Sequence, residues 1–105
     1  GETSAQVREK VLKVREIQME RSGKINAYLN SKEIERDCKL SDKDAFFLEN
    51  ALNKLGLSVR AYHRILKVSR TIADLQGEQQ ISQPHLAEAL GYRAMDRLLQ
   101  KLSNM

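Results

Sequence analysis

The sequence predicts an all-α protein, folded as a compact helical bundle without a β-sheet. Leu, Ala, Glu, Lys, Arg and Gln dominate the 105 residues, and most of these side chains lose little rotamer freedom in a helix. Pro occurs once and Gly five times, so few positions are marked as turns. The β-branched residues recur at helical spacing, and no segment follows the two-residue period of a half-buried strand.

Length, charge and cysteine content narrow the class of protein. A chain of 105 residues suffices for one modest core, so we predict a single helical domain over residues 1–105. The net charge of +4 favours an anionic partner such as a nucleotide, a nucleic acid or an acidic protein face. The single cysteine, Cys38, is typical of a reducing compartment. Because no apolar run approaches the ~20 residues that span a bilayer, we predict a cytoplasmic protein without a membrane partner.

The first predicted helix runs from about Ala5 to Ser22. Ser4 is a candidate N-cap, and Gly23 is expected to end the helix. Apolar residues recur along it at helical spacing and predict one buried face, formed by Val7, Val11, Val14 and Ile17.

Two further helices are predicted before residue 56. After an ordered connection over residues 23–30, Ser31 is expected to cap a short helix that ends at Cys38. Ser41 begins a capping-box pattern and therefore opens the next helix, with Gly56 as the residue that follows its end. The apolar spacing predicts the inner face of this third helix as Ala45, Leu48, Ala51, Leu52 and Leu55.

The last two predicted helices follow at once. Ser58 is expected to cap the longest helix, which runs to about Gln76 and is stopped by Gly77. Ser82 caps the next, with Pro84 in its first turn, where a missing N–H costs nothing. Gly91 is predicted to break this helix, and a final amphipathic turn or two is predicted beyond it, through Met95, Leu98, Leu99 and Leu102.

The longest predicted helix has two contrasting faces when its residues are placed about 100° apart. One is apolar and covers about half of the circumference, which predicts a central helix: Ala61, Tyr62, Ile65, Leu66, Val68, Ser69, Ile72, Ala73 and Leu75. The other is cationic and consists of Arg60, His63, Arg64, Lys67, Arg70 and Thr71, with Asp74 as its only acid.

Arg60 lies in the first turn of this helix, where unpaired N–H groups and the helix dipole also favour anions. An arginine at that place can present a planar fork of donors to a phosphate. The spacing is equally compatible with a solvated basic face whose cations pair with acids of the segment 42–49.

The run from Leu55 to Leu75 closely resembles the magnesium-chelatase-like AAA+ ATPases of the YifB/ComM group. The resemblance covers about Val7 to Asp96 and includes Arg15, Gln18, Arg21, Gly23-Lys24, Asn26-Ala27, Cys38, Leu40, Ile81, His85 to Leu90 and Tyr92-Arg93. It implies the C-terminal lid domain of ring-shaped, usually hexameric ATPases. Their lid helix begins with a Ser-x-Arg-Ala motif, found here at residues 58–61, whose arginine is the sensor-2 residue that contacts the γ-phosphate of ATP.

By this resemblance Arg60 is the catalytic candidate, and Arg60, Arg64 and Lys67 are the candidates for nucleotide binding. The chain lacks the phosphate-binding pattern G-x-x-x-x-G-K-[ST] and an apolar strand that ends in an acidic pair. We therefore expect a fragment of a longer ATPase that is not catalytic alone and binds neither nucleotide nor metal by itself. ATP and Mg²⁺ belong to the full-length protein, and the expected partners are its own N-terminal AAA+ core and a hexameric ring. DNA is among the substrates that the resemblance allows.

Other functions receive less support from the residues. Cys38, His63 and His85 lack the spacing of a zinc site, so no metal site is predicted. A helix-turn-helix-like DNA-binding module is an alternative, but its second helix lacks Asn or Gln near its start to read base edges. A helical protein-interaction domain is a third possibility. Arg15 and Arg21 are interpreted as ordinary charges on the surface of the first helix.

Overall fold

Five α-helices follow one another within residues 1–103, the part of the chain that the structure describes; the side chains of Met95, Leu98 and Leu99 are also outside the description. The structure is a computed structural model. The helices are α1 (Ser4–Ser22), α2 (Ser31–Asp37), α3 (Asp42–Leu55), α4 (Val59–Leu75) and α5 (Gln83–Ser103), with a 3₁₀ turn at Asn26–Tyr28. The described residues contain no strand, and the prediction of an all-α bundle is confirmed.

The N-terminal caps of α1 and α2 lie one residue earlier than predicted. Thr3 caps α1, because its hydroxyl accepts from the N–H of Gln6 at 3.1 Å while the Gln6 side chain accepts from the N–H of Thr3 at 2.8 Å. Asn30 caps α2 by the same reciprocal bonds with Glu33. In both cases the residue three positions after the cap has a polar side chain that can bond back to the cap backbone. The residues three positions after Ser4 and Ser31 are apolar and cannot do so.

Helix α5 continues through Gly91, so the predicted break is wrong. A glycine inside a helix costs only about 1 kcal/mol relative to alanine. That penalty is small beside the burial of the α5 face that packs on α4, where Leu86 and Ala89 are almost fully enclosed. Of the predicted amphipathic residues beyond Gly91, Leu102 is exposed, and the side chains of Met95, Leu98 and Leu99 lie outside the described part.

Helix α4 is the central element, as predicted. It contacts α1, the 3₁₀ turn, α2 and α5, and its buried residues join one apolar cluster: Leu29, Ile34, Cys38, Leu48, Leu52, Ile65, Leu66, Ile72, Ala73, Ile81, Leu86 and Ala89. The edges of the predicted apolar faces are wrong, because Leu55 of α3 and Val68 and Leu75 of α4 are exposed. These edge positions are only partly covered and remain 40–45% exposed.

Helix α1 is buried only near its C-terminal end. Val14 and Gln18 are enclosed, whereas Val7, Val11 and Ile17 of the predicted buried face are exposed by 47%, 39% and 44%. The helical period was predicted correctly, but the rest of the domain reaches along only the second half of α1. Among the described helices, none combines the length and the apolar composition needed to cross a membrane.

Candidate functional site

The corner between α3 and α4 holds the start of α4 in a fixed direction. Gly56 adopts a left-handed conformation with φ of 65°, and the N–H of Leu57 donates to the carbonyl of Leu52 at 3.0 Å, which closes the end of α3. Ser58 then caps α4, because its hydroxyl accepts from the N–H of Ala61 at 3.3 Å. Both predicted cap residues of this corner, Ser58 and Gly56, are confirmed.

Arg60 is the second residue of α4 and lies on this corner. Its side chain is exposed, and within the described part of the chain it makes no hydrogen bond or ion pair. The first turn of α4 contains no acidic side chain. An unpaired guanidinium therefore stands beside the positive end of a helix dipole, an arrangement that attracts an external anion.

The other two predicted binding residues follow along the same helix. Arg64 is exposed and, among residues 1–103, is likewise unpaired. Lys67 is half-buried, and its ammonium donates to the carbonyl of Ala27 in the 3₁₀ turn at 3.3 Å. Arg64 and Lys67 share a mainly apolar pocket of about 290 Å³ with Ala27 and Val68.

A pocket lies beside the same corner. Its volume is about 480 Å³, and it separates the outer surface of α3 from the first turns of α4. The lining is mixed, with Glu49 and Asn53 from α3 and with Tyr62 and His63 from α4. Arg60 is not part of this lining. No sequence pattern predicts this concave surface, because it forms only when α3 and α4 pack.

The C-terminal half of the predicted cationic face is buried, which corrects the sequence interpretation of Arg70 and Asp74. Arg70 is only 4% exposed and Asp74 only 5%. Arg70 and Asp74 lie at the same angular position around α4 as the exposed cations. However, α1 and the 3₁₀ turn cover this end of α4 and leave the other end open.

Asp74 accepts hydrogen bonds from four side chains. Arg21 donates to both carboxylate oxygens, at 2.9 and 2.8 Å, and Arg70 donates through Nε at 3.2 Å. Gln18 and Asn26 each donate through their amide nitrogen at 3.1 Å. We call these five residues the Asp74 cluster. The acid that neutralises this part of the basic face therefore lies on α4 itself, not on the segment 42–49.

Electrostatics in the Asp74 cluster keep the carboxylate charged. Burial alone would raise the pKa of Asp74, but hydrogen bonds from Arg21 and Asn26 and the charge of Arg70 outweigh it and lower the pKa. The same hydrogen bond with Asp74 raises the pKa of Arg21. The interpretation of Arg21 as an ordinary surface charge is wrong, whereas Arg15 is exposed.

Arg70 also holds the connection between α4 and α5. Its two terminal nitrogens donate to the carbonyls of Glu78 and Gln79, at 2.7 and 2.8 Å. Each of the three guanidinium nitrogens thus donates one hydrogen bond within the protein. Arg70 is consequently committed to the fold and unavailable to a ligand.

Of the residues considered for a metal site, Cys38 and His63 line one pocket of about 260 Å³, and His85 has a separate structural role at the start of α5. His85 accepts the N–H of Ser82 on Nδ1 at 2.9 Å, which leaves its proton on Nε2, 3.0 Å from the Gln76 side-chain oxygen. Cys38 is buried, and burial raises the pKa of its thiol to about 11. Among the residues that are described, no group of three or more His, Cys, Asp or Glu side chains could hold a metal ion.

Comparison with known proteins assigns the chain to a family. The family model described as magnesium chelatase, subunit ChlI C-terminal, matches residues 1–93. The chain belongs to this family. Two curated relatives are similar to this chain over all of its 105 residues. The competence protein ComM of Haemophilus influenzae is 95% identical over 105 residues, and the uncharacterized protein YifB of Escherichia coli is 50% identical over the same length.

The ChlI C-terminal region accounts for a minor part of each relative. The chain spans 21% of the length of ComM and 21% of the length of YifB. The resemblance to the YifB/ComM group that the residues suggested is therefore confirmed at the level of the family.

Proposed function

We propose that this chain is the C-terminal lid domain of a magnesium-chelatase-like AAA+ ATPase and that it supplies Arg60 to an ATP site. The remainder of that site would be built by a core domain elsewhere in the longer protein. The observation that carries the proposal is the contrast in pairing along α4. Arg60 is exposed and unpaired within the described residues, beside the positive end of the helix. Arg70 is instead buried and hydrogen-bonded to Asp74 and to the carbonyl of Gln79.

The side chains of this domain differ in what they offer to a triphosphate. Arg60 can donate two parallel hydrogen bonds to oxygens of the γ-phosphate and stabilise the charge that develops there. Arg64 adds a second exposed cation one turn further along α4. Lys67 keeps free N–H donors beside its bond to Ala27, since an ammonium has three, but its reach is limited by that bond.

ATP with its Mg²⁺ would supply the phosphoryl group that is transferred to water. The ligands of the Mg²⁺ ion would come from the core, because the described residues offer no cluster of carboxylates. The chain also lacks a phosphate-binding loop, so this domain is not expected to hydrolyse ATP alone. A hexameric ring, a cytoplasmic location and DNA as a substrate belong to the same proposal and rest on the family resemblance.

The test is ATP turnover in a longer family member that carries Arg60→Ala. Loss of a preorganised donor to the transition state predicts a decrease in kcat of about 10²-fold or more. Arg36→Ala is the control, because Arg36 is an exposed arginine on α2 whose described partner is Asp37 and which is not part of the proposed ATP site. Unchanged hydrolysis by Arg60→Ala would refute the assignment of Arg60.

The helix-turn-helix alternative is supported by one feature, the short corner between α3 and α4 with Arg60 and Arg64 exposed beyond it. It loses support from the burial of Arg70, which shortens the basic face. Salt-dependent binding of duplex DNA by the 105-residue chain would favour this alternative.

A further inference from the structure

The first half of α1 has no neighbour in the described chain. Every residue from Ser4 to Lys13, which we call the α1 arm, is exposed. The arm begins with the Thr3 capping box and carries an ion pair between Lys10 and Glu2 at 3.1 Å. These are local interactions, and neither attaches the arm to the domain.

The arm nevertheless continues the contact face of α1. Gln18 and Arg21 bind Asp74, and Val14 is buried one turn earlier, so the contact face has the spacing 14, 18, 21. Steps of four and three residues extend this face back to Val11 and Val7. These two valines are exposed by 39% and 47% because the domain ends before it reaches them.

A helical segment in this situation is only marginally stable. Most of the stability of a helix in a protein comes from the packing of its apolar face, and the arm has only local interactions to support it. The cap contributes about 1 kcal/mol and the exposed ion pair about 0–1 kcal/mol at most. A surface that covers Val7 and Val11 would add the packing that the arm lacks.

We propose that the α1 arm docks through Val7 and Val11 onto the remaining polypeptide of longer family members. On the proposed function, on which this inference rests, that polypeptide is the ATPase core. The arm is thereby the mechanical link between the core and α4, because the Asp74 cluster fixes the root of α1 to the end of α4 opposite to Arg60.

Charge and area favour this occupant over a nucleic acid and over a second copy. The arm carries Arg8, Lys10 and Lys13 together with Glu9, so it is not a uniform cationic surface for phosphates. A stable dimer buries about 800 Å² on each partner, far more than two half-exposed valines and their neighbours present. A tethered partner needs less area, since a linker supplies an effective concentration in about the millimolar range.

The length of the relatives makes such a tethered partner available. This chain spans 21% of ComM and 21% of YifB, so about four-fifths of each polypeptide lies outside the matched region. The exposed pair of Val7 and Val11, with charged side chains of both signs beside it, is typical of a polar-edged protein contact.

Hydrogen exchange tests the proposal without nucleotide. Amides of residues 7–13 should exchange at least about 10-fold more slowly in the longer Haemophilus relative than in the 105-residue chain, with buried α4 amides protected in both. Equal exchange of the arm in the two proteins would overturn the proposal. Protection that grows with the concentration of the 105-residue chain would instead assign the valine pair to a second copy, and protection by an added DNA oligonucleotide would assign it to nucleic acid.

Variants separate docking from folding. In the 105-residue chain Val7→Asp and Val11→Asp should shift Tm by less than about 2 °C, because both side chains are exposed. In the longer protein the same changes should remove the extra protection of the arm, whereas Phe46→Asp, at an apolar α3 residue that is 66% exposed, should not. Retained protection in both valine variants would contradict the proposal. Since Arg60→Ala leaves the arm untouched, the failure of one proposal is distinguishable from the failure of the other.

Discussion

The two halves of α4 use cationic residues of one helical face in opposite ways. In the first half Arg60 and Arg64 are exposed and, within residues 1–103, unpaired. In the second half Arg70 is buried and bonded to Asp74 and to two carbonyls of the α4–α5 connection. The helical period does not distinguish these arginines. Their neighbours do, because α1 and the 3₁₀ turn cover only the second half.

This difference separates a structural cation from one that is available to a ligand. Removing a charged side chain from water costs several kcal/mol, and a buried pair is tolerated only when hydrogen bonds satisfy it. Arg70 and Asp74 meet that condition through the Asp74 cluster, and their burial keeps them out of reach of an external anion. Arg60 bears no such cost and keeps all of its donors.

The largest expected effect comes from breaking the buried half. Asp74→Asn removes the negative charge that faces Arg21 and Arg70, and it should lower the free energy of unfolding by about 3–5 kcal/mol. Urea denaturation of the 105-residue chain measures this loss. The control Asp96→Asn, at an exposed residue of α5, should remain within about 0.5 kcal/mol of the parent. Equal stability of Asp74→Asn and the parent would contradict the structural role of the cluster.

Acid should reduce the contribution of the buried half of α4 to the free energy of unfolding and leave that of the exposed half unchanged. A carboxylate whose pKa is lower in the folded than in the unfolded chain stabilises the fold above its unfolded pKa and loses that contribution as the pH falls. The pKa of Asp74 is lowered, and hydrogen bonds chiefly from Arg36 lower that of Asp37 from 3.8 to about 2. The stability gap between the parent and Asp74→Asn should therefore shrink below about pH 4. A gap that stays constant from pH 7 to pH 2.5 would argue against this electrostatic origin.

The smallest expected effect belongs to the exposed half. Arg60→Ala and Arg64→Ala should each change the free energy of unfolding of the 105-residue chain by about 0.5 kcal/mol or less, because no described contact is lost. Thermal melts followed by circular dichroism suffice to check this. A loss comparable to that of Asp74→Asn would mean that Arg60 is a structural residue and would remove the contrast between the two halves.

Local chemistry made much of the fold predictable. The caps Ser41 and Ser58 and the turn residue Gly56 act through residues no more than four positions away, and they lie where the sequence predicts. The caps of α1 and α2 were displaced by one residue because Thr3 and Asn30 gain a reciprocal partner. Gly91 was misjudged since the packing of α5 on α4 outweighs its low helix propensity.

The candidate site was predictable only in part, because burial depends on distant segments. The period of α4 and the family motif both lead to Arg60, but neither tells whether its guanidinium is already paired. Arg70 lies at the same helical angle as the exposed arginines, but it binds Asp74, whose carboxylate also binds Gln18 and Arg21, 56 and 53 positions away along the chain. The resemblance to the family did include Gln18, Arg21 and Asn26, and a search for the buried acid that these donors require would have led to Asp74.

The Asp74 cluster also sets an order of events when the chain folds. Its bonds from Asn26, Arg21 and Gln18 span 48, 53 and 56 residues, whereas the contacts between α4 and α5 close over short loops. Long-range closure costs more chain entropy and is slower than local closure. In the complete chain we therefore expect α5 to pack on α4 before the Asp74 cluster attaches α1.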